Sequence, residues 1–275
     1  MCQVLDVSEN GYNNWRTRGK SQRKRDDEHL AERIEDAYKK NRGKYGSPRI
    51  HAELQAQGIH CGRKRVARLM QEKHLSAGKK RRKARTTNSH HRFPIASNLL
   101  KRDFTADAPN KKWVADITFI ETREGWLYLS GVLDTYSRKI IGWAMDTFHD
   151  AELVKMALHM ALLQRQPGAG LIHHSDRGSE YASSSYQLLL QEQHIQASMS
   201  GTGDCYDNAM MESFWATLKE ECCGHRIFTS RNEAKAAIFE YIEVFYNRKR
   251  IHSSLGYRSP VDYEKQKEKG KEMPS

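Results

Sequence analysis

Apolar and polar residues follow two rhythms along this chain. Up to about residue 75 the spacing is helical. Ser8 stands as an N-cap ahead of Tyr12 and Trp15, so residues 1–25 read either as the closing part of a helix-turn-helix or as an ordinary helical pair. Residues 26–42 predict a helix with Leu30, Ile34, Ala37 and Tyr38 on its apolar face. A cleaner helix-turn-helix follows. Ser47 is expected to cap and Pro48 to open its first helix, Ile50 and Leu54 face inward, and Gly58-Ile59-His60 turns the chain. The second helix, about 63–74 with Gly62 in the N-cap slot, buries Val66, Leu69 and Met70.

From residue 113 the rhythm becomes that of strands. Residues 113–120, 126–133 and 140–146 predict three successive strands, which suggests an antiparallel meander. A helix over 150–163 carries Leu153, Met156, Ala157, Met160 and Ala161 inward, and 170–175 is a short strand. A helix at 186–193 and a fifth strand at 195–198 lead into a glycine loop, with Asp204 and Asp207 as candidate caps for a further helix. On that helix Asn208, Glu212, Trp215, Ala216 and Lys219 share one face. The order predicts an α/β fold, a mixed five-stranded sheet flanked by helices, preceded by an all-α helix-turn-helix region. The expected domains are 1–77 (helical), 78–112 (basic linker and connector), 113–225 (core) and 226–275 (a C-terminal helix over 233–248, then a basic segment and a charged, frayed tail).

Charge sharpens this division. Residues 1–92 hold 24 Lys and Arg against 10 Asp and Glu, whereas the remainder holds 22 against 24, within a total of +12. A basic front on a near-neutral body suggests nucleic-acid binding. Arg63, Lys64, Arg65 and Arg68 line the exposed side of the second helix, suited to a DNA major groove, with a generic helical hairpin of solvated basic face as the alternative. The five cysteines show neither C-x-x-C spacing nor a disulfide framework, and no apolar run reaches membrane-spanning length. A reduced, soluble, intracellular protein is expected.

The candidate chemistry is carboxylate chemistry. Asp116 interrupts an apolar strand, Asp176 follows the end of another, and Glu212 comes from the helix beyond the glycine loop. Three converging acids make a hard-cation site for Mg²⁺, or Mn²⁺ as a substitute. Two such ions about 4 Å apart activate a water or a 3′-hydroxyl in phosphoryl transfer. Asp134 is a rival first acid, but its turn setting beside Ser137-Arg138 favours a structural role. His173 and His174 face opposite ways on a strand, so at most one points at the site, and His174 is expected to orient or pack.

These residues carry a resemblance. Asp116, Asp176 and Glu212, with 35 residues between the last two, resemble the acids of DDE transposases and retroviral integrases, whose core is ribonuclease H-like. Trp113-x-x-Asp116-Ile117-Thr118, Asp134-x-x-Ser137-Arg138, His174-Ser175-Asp176-Arg177-Gly178-Ser179, Asp207-Asn208-Ala209-x-x-Glu212-Ser213 and the run from Tyr246-Asn247 through Arg250 and His252 to Tyr257 look like the second-frame (OrfB) transposases of a large bacterial insertion-sequence family.

The resemblance implies that the three acids bind two Mg²⁺ ions and that Lys219 contacts DNA. It also implies cleavage to a 3′-hydroxyl followed by strand transfer, on double-stranded element ends and target DNA. A dimer or larger homo-oligomer and an upstream-frame OrfA protein are the implied partners, at the bacterial nucleoid in the cytoplasm. Asn208 is a further candidate contact to DNA or to the metal's surroundings. Arg250 and His252 either touch phosphate or close the core. Glu180 departs from the family's usual glutamine, and this extra carboxylate four residues past Asp176 either perturbs the metal site or, as expected, faces solvent. A nuclease or junction resolvase, and a non-catalytic or decayed DNA-binding regulator of transposition, remain as alternatives.

Overall fold

A computed structural model describes residue 6 and residues 8–77, 93–201, 205–224 and 226–272. The basic run at 78–91 and the candidate cap Asp204 lie outside the described residues. The chain divides into two compact units, one up to residue 78 and one from residue 79. Among the described residues no helix is long and apolar enough to cross a membrane.

The first unit is all helical: α1 (Glu9–Thr17), α2 (Gln22–Lys40), α3 (Ser47–Ala56) and α4 (Arg63–Glu72). Ser8 caps α1 by accepting from the Gly11 amide, yet α1 buries no residue and Trp15 is 73% exposed. Leu30, Ile34 and Ala37 of α2 meet Ile50 and Leu54 of α3 and Val66, Leu69 and Met70 of α4 in a small core. Gly46, not Ser47, is the N-cap of α3, and no side chain bonds there, so Ser47 and Pro48 both lie inside the first turn. Tyr38, on the same helix, is half-buried, and its hydroxyl donates to the Ser76 carbonyl at 2.7 Å.

The second unit is the expected mixed sheet. Its strands are β1 (Lys112–Thr122), β2 (Gly125–Asp134), β3 (Lys139–Asp146), β4 (Ile172–Ser175) and β5 (Gln196–Met199), in the order β3-β2-β1-β4-β5. The first three form an antiparallel meander, and β4 and β5 add parallel to β1's other side. Helix α5 (Ala151–Arg165), capped by Asp150, lies against β3, and it fits because Gly142 has no side chain. A β-carbon there would strike the Ala157 carbonyl and lie 2.7 Å from the Ala161 amide nitrogen. The inward face of α5 is Leu153, Val154, Ala157, Leu158 and Ala161, while Met156 is 44% exposed. Two short helices, α6 (Ser179–Ala182) and α7 (Ser184–Glu192), replace the single one expected between β4 and β5.

Beyond the sheet come α8 (Ala209–Leu218), continued by a π turn at Lys219–Cys223, and α9 (Arg231–Phe239), continued by another at Glu240–Tyr246. The final helix α10 (Pro260–Glu272) corrects the frayed tail. Its Glu264 is buried, accepting from Ser137 Oγ and from Arg165, each at 2.6 Å. The Asn247 side chain closes the sheet's edge, accepting from the Ile140 amide at 3.0 Å and donating to its carbonyl at 2.9 Å.

Arg250 and His252 are corrected here: neither is placed to meet phosphate. Arg250 is 5% exposed and donates from Nε and Nη2 to the two oxygens of Glu221, both at 2.8 Å. Tyr241 donates to the same carboxylate at 2.9 Å, and His252, 7% exposed, packs edge-on against Tyr246. Because both charges of the pair are out of water, removing one strands the other. Arg250→Leu is therefore expected to lower unfolding stability by about 3–5 kcal/mol in a denaturant titration. The double variant Glu221→Leu/Arg250→Leu is expected to lose less than the two single losses added together.

Candidate active site

Asp116 lies mid-way along β1, opposite Gly131 of β2. On its other side β1 pairs with β4 in register Val114↔His174. Continuing that register sets Asp116 abreast of Asp176, one residue past the end of β4. Two acids are thus brought together by strand pairing alone.

The Asp116 carboxyl is held from two sides. Oδ1 accepts from the Ile117 amide at 2.9 Å and Oδ2 from the Trp215 indole at 3.1 Å. The indole reaches it because Gly131 leaves room; a β-carbon there would sit 2.9 Å from the Trp215 ring. Burial pushes the Asp116 pKa well above the usual carboxylate range, and the charges of Asp176 and Glu212 push it further. The two hydrogen bonds oppose this but do not reverse it. Asp176 Oδ1 accepts from the Gly178 amide at 2.9 Å.

Glu212 sits in the first turn of α8. The start of that helix is fixed to β1 by Asn208, whose Nδ2 donates to the Ala115 carbonyl at 3.0 Å, one residue before Asp116. Asn208 is thus corrected from a DNA contact to a clamp, because it is only 5% exposed. Asp207 is likewise no helix cap. It is buried and gathers the Asn98 amide at 2.8 Å, the Gly201 N–H at 2.9 Å and Arg102 at 3.3 Å, tying the segment before β1 to the loop before α8.

Lys219, one turn past Trp215, is exposed. Partial burial of its ammonium lowers its pKa, and the charges of Cys223 and Asp116 act in the other direction. His173 and His174 point oppositely, as adjacent strand residues must. The first meets the Tyr186 hydroxyl at 3.1 Å; the second bridges Ser198 and Ser200 at 2.8 and 3.1 Å. Burial lowers their pKa values to about 3 and about 4, so both are neutral braces of the sheet. Asp134 accepts from the Asn110 and Tyr136 amides at 2.9 and 3.0 Å in the β2–β3 turn.

On α4, Arg63 and Lys64 are exposed. Arg65 and Arg68 instead share Asp27 of α2, at 2.6 Å each, and Arg68 also meets Glu72 at 2.7 Å. Their guanidiniums hold the Asp27 carboxyl below its usual value. Glu180 does not face open solvent: its side chain is 15% exposed and lies 3.9 Å from His149.

Sequence reasoning missed the Trp215 bond, the Asn208 clamp and the Asp207 hub. The one signal for the first was Trp215 on the Glu212 face, whose partner lies 99 residues away. Among the described residues no three carboxylate, histidine or cysteine side chains already surround a common point at ligating geometry. The donor set nevertheless suits a hard dication: its donors are all carboxylate oxygens, and Asp116 is raised by the like charges that such an ion would neutralise.

The mixed sheet is an integrase-type core, preceded in the chain by an HTH-like helical region. The family described as Integrase core domain matches residues 106–205, and a second of the same description matches 193–260. An HTH-like domain family matches 24–84. The insertion element IS600 uncharacterized 31 kDa protein of Shigella sonnei is 49% identical over 96% of this chain and 97% of its own length. Transposase InsF for insertion sequence IS3A of Escherichia coli K12 is 42% identical over 96% of this chain and 92% of its own. Among solved structures, a simian T-cell lymphotropic virus intasome chain is 15% identical with TM-score 0.49, covering 78% of this chain and 70% of that one. The HTLV-2 integrase catalytic core is 15% identical with TM-score 0.43, covering 58% and 99%. This chain belongs to the insertion-sequence transposase family of the DDE and integrase superfamily.

The raised Asp116 pKa sets a pH test. Its contribution to stability is present below the unfolded value near ~4 and is lost as pH rises through the folded value. Without divalent cations, the melting temperature of Asp116→Asn relative to wild type is expected to rise by roughly 2–4 °C, for about 1 kcal/mol, from pH 4 to pH 7.5, on top of a pH-independent loss because the amide accepts only one of the two N–H bonds. Added Mn²⁺ is expected to stabilise wild type more than the variant. Equal melting shifts at both pH values would contradict this account of Asp116.

Proposed function

We propose that this chain is the catalytic transposase of an insertion element, cutting the element's ends to free 3′-hydroxyls and joining them to target DNA. The observation that carries the reading is the placement of Asp116 beside Asp176, with Glu212 close enough to raise the same carboxyl. In this reading Asp116, Asp176 and Glu212 hold two Mg²⁺ ions, with Mn²⁺ as a substitute. When bound, the ions supply Lewis-acid activation of the attacking oxygen and stabilise the leaving one. The chain's own part is positional. Trp215 orients the Asp116 carboxyl, and Asn208 fixes the start of the Glu212 helix. Lys219 holds a phosphate of the DNA beside the site.

Arg63 and Lys64 are the α4 residues assigned to element-end DNA. Arg65 and Arg68 take part only as phosphates compete with Asp27. Bringing two ends together calls for a dimer or larger assembly of this chain on DNA, working with an upstream-frame OrfA protein in the bacterial nucleoid. Residues 1–77 would recognise ends, 78–112 connect, 113–225 do the chemistry and 226–275 complete the core.

The test is Mg²⁺- or Mn²⁺-dependent nicking and joining of labelled duplexes made from the DNA flanking the gene, with and without the upstream-frame protein. Glu212→Gln is expected to bind those duplexes normally and lose about a thousandfold or more in cleavage rate. Equal cutting by both proteins would overturn the assignment of Glu212. Binding without cutting by wild type, even with the partner, would favour a non-catalytic regulator.

A further inference from the structure

A cluster of rings lies beside Glu180, which neighbours Asp176, and takes no part in the chemistry described above. Phe119 and Tyr128 are cross-strand partners on β1 and β2, with centroids 5.3 Å apart and planes at 88°. Trp126 adds an edge contact to Phe119 at 6.4 Å and is 52% exposed. His149, just before α5, stacks on Tyr128 at 4.6 Å and 29°. Its neighbour in the chain, Phe148, is 71% exposed. Phe119 and Tyr128 are half-buried, Tyr128 against the core, whereas Trp126 and His149 stand exposed.

The cluster reaches the acids through Glu180. His149 Nε2 lies 3.9 Å from Glu180 Oε1. The other oxygen, Oε2, shares the space above Gly178 with Asp176: a β-carbon there would lie 2.7 Å from Glu180 Oε2 and 3.1 Å from Asp176 Oδ1. Ring surface and candidate catalytic acid are therefore joined by one carboxylate.

We propose that Trp126, Phe119, Tyr128 and His149 form a shelf that stacks an unpaired nucleobase of the DNA beside the scissile phosphate, with Glu180 accepting from that base's exocyclic amine. The proposal rests on the transposase reading and adds a subsite to it. Aromatic faces hold bases of any sequence by stacking. A carboxylate adds selectivity, because it accepts from an amine such as cytosine N4 and finds no such donor on thymine. The shelf thus favours an amino-bearing base over thymine at the neighbouring position, and it supplies a hold on DNA that charge alone does not.

The experiment places 5-iodocytosine, in turn, at each position flanking the cut of an end duplex, using the full chain with its upstream-frame partner. Irradiation is followed by mass-spectrometric mapping of the cross-links. Cross-linking from one flanking position to Trp126, Tyr128 or His149 is expected. Trp126→Ala and His149→Ala, both at exposed positions, are expected to keep the wild-type melting temperature and to cleave about tenfold more slowly. Glu180→Gln is expected to shrink the preference for cytosine over thymine there. Cross-links elsewhere, with wild-type cleavage by Trp126→Ala and His149→Ala, would overturn the shelf and leave the transposase reading standing. Loss of oligomeric mass in these variants, with no cross-link from DNA to the rings of the wild type, would assign the rings to an interface between copies and also overturn it. A wild type that cuts no end DNA at all would overturn both readings.

Discussion

Like charges held together against their repulsion are the constraint around which this structure is arranged. Parallel pairing of β1 with β4 brings Asp116 abreast of Asp176, which follows the end of β4 and is held there by the Gly178 amide. Burial and the two neighbouring acids then raise the Asp116 carboxyl. Two glycines make room for the surrounding contacts. Gly131 admits the Trp215 ring, and Gly178 lets Asp176 and Glu180 crowd one space. Stability given up at such a point is the usual mark of a site built for a ligand of opposite charge.

The remainder of the second unit holds that arrangement in place. Asn208 and Asp207 pin the approach to α8, one to β1 and the other to the segment preceding it. The C-terminal segment braces the far end of the same helix. Arg250 and Tyr241 converge on Glu221, inside the π turn that begins with Lys219. Chemistry and architecture are thus divided among the words of one motif set. Asp116, Asp176 and Glu212 are the residues proposed for the chemistry, whereas Asn247, Arg250 and His252 hold the frame.

Much of this was legible in the residues because it depends on local rhythm. Apolar, β-rich runs separated by turn residues marked three strands and their meander, and helical spacing put Glu212, Trp215 and Lys219 on one face. An acid breaking an apolar strand stood out because isolated buried charge is costly. What stayed hidden depends on partners distant in the chain. Arg250 reads as a phosphate contact until Glu221, 29 positions earlier, is found bonded to it. Arg65 and Arg68 read as a free groove-binding face until Asp27 is placed between them. Asp207 follows every local rule for a cap, yet its oxygens serve Asn98 and Arg102 across more than a hundred residues. A charged residue's address in sequence says little about its solvation.

The central claim is that Asp116 and Asp176 are crowded in order to share a divalent cation. Anomalous diffraction from crystals soaked in Mn²⁺ addresses it most directly. The account predicts a manganese peak between the two carboxylates, within about 2–2.3 Å of an oxygen from each. It also predicts that the peak disappears in Asp116→Asn crystals treated identically. A well-occupied peak elsewhere, or an empty Asp116–Asp176 gap at saturating Mn²⁺, would contradict it.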